Sequence, residues 1–166
     1  MKNNRTRLIV LSALFAALAC VATMVIRIPS PFKGYLNLGD SVVLLSGWML
    51  PPVYGALAAG LGSALADLFS GYVTYAPATF VIKALMALAA HYCVKYLSKS
   101  MKLGVARLIS GIAAIIILAA GYLLFEGILY GFAPSMVNVL PNALQGAAGL
   151  TLGLVLSRLF EKSNLM

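Results

Sequence analysis

Charge is what this sequence has least of. Only 10% of its 166 residues are charged, and just four are acidic, whereas water-facing domains carry about 25% charged residues. Such a chain cannot clothe a soluble surface. Its single histidine, His91, leaves no His-Glu-x-x-His metal motif and no serine–histidine pair of an intramembrane protease; it reads as structural. No Gly-rich loop ending in Lys-Ser or Lys-Thr occurs, so the chain does not hydrolyse ATP itself. Cys20 and Cys93 sit inside apolar stretches, where they read as small buried residues rather than as a disulfide or metal framework. The expectation is a protein that is not an enzyme and that uses no metal and no cofactor.

What is present instead is apolar sequence, 62% of the chain. Six segments stand out, at 8–26, 41–50, 53–69, 78–97, 108–129 and 137–160. Breakers part them: Pro29, Pro31 and Gly34, then Pro51-Pro52, then Gly71 to Pro77, then Gly131 to Pro134. A membrane span needs about 20 mostly apolar residues, so the chain has room for a bundle of helices and no soluble domain. The first segment is too long for a cleaved signal and reads as a span. The second, at about 1.5 Å per residue, covers half of a hydrocarbon core; it either starts deep in the protein or is extended by Leu36-Asn37-Leu38. The expected fold is all-α, a six-transmembrane-helix bundle forming one integral membrane domain over 1–166.

The formal charge of +8 is a matter of topology rather than of nucleic acid, because the basic residues sit at the ends of apolar runs. With six spans, Lys2, Arg5, Arg7, Lys95, Lys99, Lys102, Arg107, Arg158 and Lys162 all fall on one face, leaving Arg27, Lys33 and Lys83 for the other. The positive-inside tendency then puts both termini in the cytoplasm. Five spans, with 41–69 as one kinked helix, would split the basic regions between faces.

In that topology the ionisable and amide side chains gather in the outer half. Asp40, Asp67, Lys83 and Glu126 lie near the outer ends of their helices, and Asn138, Asn142 and Gln145 begin at the same level, Asn138 and Asn142 on one helix side. Charges in a span are costly, which makes each a functional candidate. Competing structural roles exist: Asp40 as a helix N-cap, Asp67 and Lys83 as a mutually neutralising pair, and Glu126 snorkelling to the interface. Tyr35, Tyr72 and Tyr75 belong to the flanking outer loops and can anchor the interface or stack on a flat ring; Trp48 and Tyr54 lie at the opposite face.

Small residues mark several helices. Ala13, Ala16 and Ala17, with Cys20, make a smooth stripe on the first, a spacing that serves both internal packing and docking to a partner. Gly55, Ala59, Gly62 and Ala66 repeat it on the third, and 146–153 is similar.

Three motifs carry a family resemblance: Gly34-Tyr35-Leu36-Asn37-Leu38-Gly39-Asp40, Gly62-Ser63-Ala64-Leu65-Ala66-Asp67-Leu68 and Tyr75-Ala76-Pro77-Ala78-Thr79-Phe80-Val81-Ile82-Lys83. With the basic amino terminus, the Ala-rich first helix and the six-span plan, the chain resembles the S components of energy-coupling factor (ECF) vitamin transporters, in the branch for riboflavin-type, hydroxymethylpyrimidine and pyridoxine-related substrates. The resemblance implies a multi-pass bacterial cell-membrane subunit that binds a small vitamin from outside and docks with a transmembrane coupling subunit and two ATPase subunits. It implies docking through Ala13, Ala16 and Ala17. It also places the ligand under the loop at 28–38, with Tyr35, Asn37, Asp40, Asp67, Tyr72, Tyr75, Thr79, Lys83, Glu126, Asn138 and Asn142 as candidate contacts. A pyridoxine or hydroxymethylpyrimidine type of ring is favoured over riboflavin, since clustered carboxylates suit a small ring bearing a protonatable nitrogen and hydroxymethyl groups. A stand-alone secondary transporter or a non-transporting scaffold are the other classes; the first would show internal repeats and midplane coupling residues, and no repeat is visible. Pro51-Pro52 departs from the Gly-Pro type of break expected in the family.

Overall fold

The computed structural model describes residues 2–29 and 35–162, the stretches 2–4 and 162 by backbone alone; Pro31, Lys33 and Gly34 lie outside the described residues. Helix α1 is Lys2–Val25, and a small antiparallel ribbon follows it, β1 (Arg27–Pro29) with β2 (Tyr35–Asn37). Next come α2 (Gly39–Met49), α3 (Pro52–Phe69), α4 (Ala76–Leu97) and α5 (Leu103–Tyr130). A short α6 (Phe132–Ser135) and a 3-10 turn (Met136–Asn138) lead into α7 (Val139–Lys162). Each expected apolar segment is a helix. The ribbon was not expected: three-residue strands are too short to show an alternating pattern. Its register, Arg27 opposite Asn37 and Pro29 opposite Tyr35, holds Tyr35 and Asn37 over the outer end of the bundle.

Five stretches are long and apolar enough to cross a membrane, and α2 is not one of them. Of the two alternatives for the short segment, the structure takes the first: Leu36 and Asn37 are strand, and α2 starts deep. Its 11 residues, nine of them buried, are walled in by α1, α3, α4 and α7. This is why a half-length helix is stable there: it meets protein on all sides, so its polar ends need no lipid contact. The surrounding helices carry the exposed apolar side chains, from Ile9 and Leu14 on α1 to Ile128 on α5, the surface a bilayer would cover.

Leu50 and Pro51 alone connect α2 to α3. Pro52 occupies the first turn of α3, where its missing N–H costs nothing. The Ser46 hydroxyl bonds the Gly55 carbonyl at 3.1 Å across this connection. A Cβ on Gly55 would lie 2.6 Å from the Ser46 carbonyl oxygen, so the α2–α3 approach depends on glycine. The other small residues of α3 also face inward: Gly62 abuts the Ala16 carbonyl of α1, and Ala59 and Ala66 are fully buried. On α1 the stripe divides. Ala13 and Ala17 are exposed, whereas Ala16 turns toward the core shared with Phe15, Ala19 and Ala58.

Candidate functional site

Two helix starts and one helix middle meet beneath the ribbon. Asp40 lies in the first turn of α2, completely buried, and forms an ion pair with Lys83, eight residues into α4; their side chains are 1% and 3% exposed. Gln145 of α7 donates to the other Asp40 oxygen at 2.7 Å. Its own carbonyl oxygen accepts from the Asn37 backbone and side-chain amides, at 3.0 and 3.3 Å. Asn37 Oδ1 in turn accepts from the Gly39 N–H at 2.9 Å. The ribbon, α2, α4 and α7 are thus joined by one hydrogen-bonded chain anchored on a charge pair, whose charge-assisted bonds are each worth more than a neutral one. Backbone proximity makes it possible: a Cβ on Gly149, one turn along α7 from Gln145, would sit 2.6 Å from Asp40 Cβ.

Three of the structural roles open to these residues are corrected here. Asp40 does not cap α2: residue 38 is the N-cap and no side chain caps it, because the Asp40 carboxylate is drawn inward by Lys83 and Gln145. Lys83 neutralises Asp40, not Asp67. Asp67, near the end of α3, instead accepts a 2.6 Å bond from the Tyr35 hydroxyl, and its second oxygen is buried with no partner among the described residues. Nor does Glu126 snorkel to the interface. It is buried, accepting from Asn138 Nδ2 at 2.9 Å and from the Tyr75 hydroxyl at 3.4 Å.

An aromatic wall closes the outer side. Tyr35 and Tyr72 have ring centroids 4.8 Å apart, Tyr72 and Tyr75 meet edge to face at 6.1 Å, and Tyr75 lies 6.5 Å from Tyr122. Tyr122 shares a 2.9 Å hydrogen bond with Thr79, and Lys83 Nζ lies 5.8 Å from its ring centre. Burial, and then the bond to Asp67, pushes the Tyr35 phenol well above its ordinary range; burial and the Glu126 charge do the same for Tyr75. Both stay neutral hydrogen-bond donors at physiological pH.

These groups enclose a cavity of about 30 Å³, near one water molecule's share of liquid volume. Of the eleven candidate contacts, ten line it; Asp40 lies behind it, fixing Lys83 and Gln145. The lining also includes Thr23, Ser63 and Tyr122, which the sequence did not single out, and Gln145, which it placed in the outer polar cluster without naming it as a contact. Helical spacing could have found three: Ser63 is four residues before Asp67, Tyr122 four before Glu126, and Gln145 three after Asn142. Thr23, in the apolar second half of α1, gave no such signal. Away from the cavity, Trp48 donates to Ser110 at 2.9 Å and His91 Nδ1 lies 3.2 Å from the Gly47 carbonyl, both at the inner end.

Residues 3–162 match a family model described as the ECF-type riboflavin transporter, S component. An uncharacterized protein in the gap 3' region of Pyrococcus woesei is 31% identical over 143 residues, covering 86% of this chain and 93% of that protein. Among solved structures, the S component of a bacterial ECF transporter superposes with a TM-score of 0.69 at 21% identity, over 99% of both chains. The S component for biotin from an ECF-type ABC transporter gives the same TM-score at 13% identity, over 97% of this chain and 94% of the other.

Proposed function

Since the chain belongs to the family of ECF-type riboflavin transporter S components, a group of non-enzymatic membrane transport subunits, we propose that its outer-half cavity captures a single flat nitrogen-heteroaromatic vitamin of the pyridoxine or hydroxymethylpyrimidine type. The observation that carries this is the charge left over after internal pairing. Lys83 is matched by Asp40, so among the described residues no cation is bonded to the carboxylates of Asp67 and Glu126, which line the cavity. They favour a ligand rich in hydroxyl donors or bearing a protonated ring nitrogen, and they disfavour one that is itself a carboxylate. The unpartnered Asp67 oxygen and the Ser63 hydroxyl would each take up a ligand hydrogen bond. Tyr35, Tyr72, Tyr75 and Tyr122 would stack on or edge the ring.

Capture in this scheme requires the ribbon to yield. A cavity of about 30 Å³ is far below the roughly 300 Å³ of a small-ligand pocket. Among the described residues, Tyr35 and Asn37 tie the ribbon to Asp67 and Gln145; releasing them would open the site from outside. Asn37, Thr79, Lys83, Asn138 and Asn142 then serve as polar contacts, and Asp40 as the group that positions Lys83. Riboflavin is the second reading, favoured by the description of the matched family; its fused rings demand a wider opening. On the partner side, the exposed Ala13 and Ala17 provide the surface for a transmembrane coupling subunit that works with two ATPases, while Ala16 faces inward.

Calorimetric titration of the purified chain with pyridoxine, hydroxymethylpyrimidine and riboflavin tests the assignment. One single-ring vitamin is expected to bind at one per chain, with uptake into vesicles only when the coupling subunit and ATPases are present. Tighter binding of riboflavin moves the assignment to the second reading. Uptake by the chain alone, or binding of none of the three, refutes the proposal.

A further inference from the structure

The inner end of the bundle holds a second cavity that vitamin capture does not use. It lies between the start of α5 and the last turns of α7, measures about 380 Å³, and is lined by Lys102, Leu103, Gly104, Arg107, Arg158 and Glu161 among others. That volume is within the usual range for a small-molecule site. Its floor is Arg107, only 7% exposed. The guanidinium uses Nη1 for both of its hydrogen bonds, to Ser157 Oγ at 3.2 Å and Glu161 Oε1 at 2.6 Å, and lies 5.7 Å from the Trp48 ring centre. Nε is buried with no partner among the described residues, an unusual state for a group that carries a full charge.

Among the described residues, three cations, Lys102, Arg107 and Arg158, face one carboxylate, and Glu161 is 40% exposed. The amino-terminal end of a 28-residue helix adds its positive dipole and free N–H groups at the same place. A Cβ on Gly104 would meet nothing within 4 Å, so the approach to that terminus is open. The rim is apolar, with Leu103 and Val105 exposed, and it continues into the lipid-facing side chains Leu108, Ile109 and Ile112 of α5. A site with a cationic floor and an apolar rim suits an anion with a hydrocarbon attached. The distribution of basic residues assigns this end of the molecule to the cytoplasmic leaflet, where anionic headgroups reside.

We infer that the cavity between α5 and α7 binds the phosphodiester headgroup of an anionic lipid from the inner leaflet, its phosphate seated on Arg107 and flanked by Lys102 and Arg158. The headgroup would clamp the start of α5 to the end of α7. A soluble phosphate ester shares the charge chemistry but makes no use of the rim.

Native mass spectrometry of the whole protein in mixed micelles, with dioleoylphosphatidylglycerol and dioleoylphosphatidylcholine at equal concentration, tests this. The phosphatidylglycerol adduct is expected to survive at about tenfold or greater excess, since each basic residue near an anionic lipid strengthens binding severalfold. The double variant Lys102→Gln with Arg158→Gln, both exposed positions remote from the vitamin site, should bring retention to the phosphatidylcholine level while vitamin binding stays unchanged. Equal retention of the two lipids, or phosphatidylglycerol retention that the double variant does not reduce, overturns the inference. Thermal protection by glycerol 3-phosphate equal to that by phosphatidylglycerol also overturns it, in favour of a soluble anion.

Discussion

Asp40 and Lys83 are the residues on which the outer half of the molecule turns. They lie 43 positions apart in sequence and are both buried. Removing one partner of such a pair leaves an uncompensated charge, a loss of about 3–5 kcal/mol. Asp40→Asn is therefore expected to lower the thermal midpoint of the detergent-purified protein sharply, whereas Asp40→Leu combined with Lys83→Met should restore most of it. A double variant as unstable as the single one would show that the pair is not what Asp40 supplies. Asp67 acts differently. Asp67→Asn keeps an acceptor for the Tyr35 hydroxyl but removes the charge offered to ligand, so vitamin affinity is expected to fall about tenfold or more, about 1.4 kcal/mol per decade. The thermal midpoint should barely move, and calorimetry separates the two effects. That Asp40 and Asp67 are polar outliers in apolar helices was plain from sequence, but their partners were not. The nearest available pairing along the chain, Asp67 with Lys83 across the α3–α4 connection, is local, while the pairing that forms depends on how α2 sits between α4 and α7.

At the scale of elements, α2 and α7 show how a short helix is held. Gly149 lets the α7 backbone press against Asp40, and Gly153 lies against the Ser41 carbonyl at 3.4 Å for an added Cβ. Gly149→Leu is expected to force the two helices apart and destabilise the protein by about 1–3 kcal/mol, the usual range for overpacking. It should also weaken vitamin binding, because Gln145 moves with α7 and releases Asn37. A wild-type thermal midpoint and affinity in the Gly149→Leu variant would mean that the helices reseat freely. The helix boundaries were legible because proline, glycine and apolar run length are local signals. The β1–β2 ribbon was not, since a three-residue strand exists only through its partner.

The whole molecule presents two kinds of surface, a lipid-facing belt and a smooth patch at Ala13 and Ala17. Ala13→Trp or Ala17→Trp is expected to leave vitamin affinity unchanged while abolishing co-purification with a coupling subunit. Normal assembly in both variants would remove this face from the interface. Scarcity of charge, the lengths of the apolar runs and the placement of basic residues fixed the membrane location, the helix order and the outer position of the polar groups, because each follows from transfer of local sequence between water and lipid. Which polar group meets which was decided only by tertiary packing. Hydrogen bonds and ion pairs depend on side chains being placed to within a few tenths of an ångström, a placement set here where Gly55, Gly62 and Gly149 allow close backbone approach. The same packing turned Ala16 inward from its neighbours, buried Glu126, and placed Arg107 beneath the inner cavity rather than in the loop where its charge alone would put it.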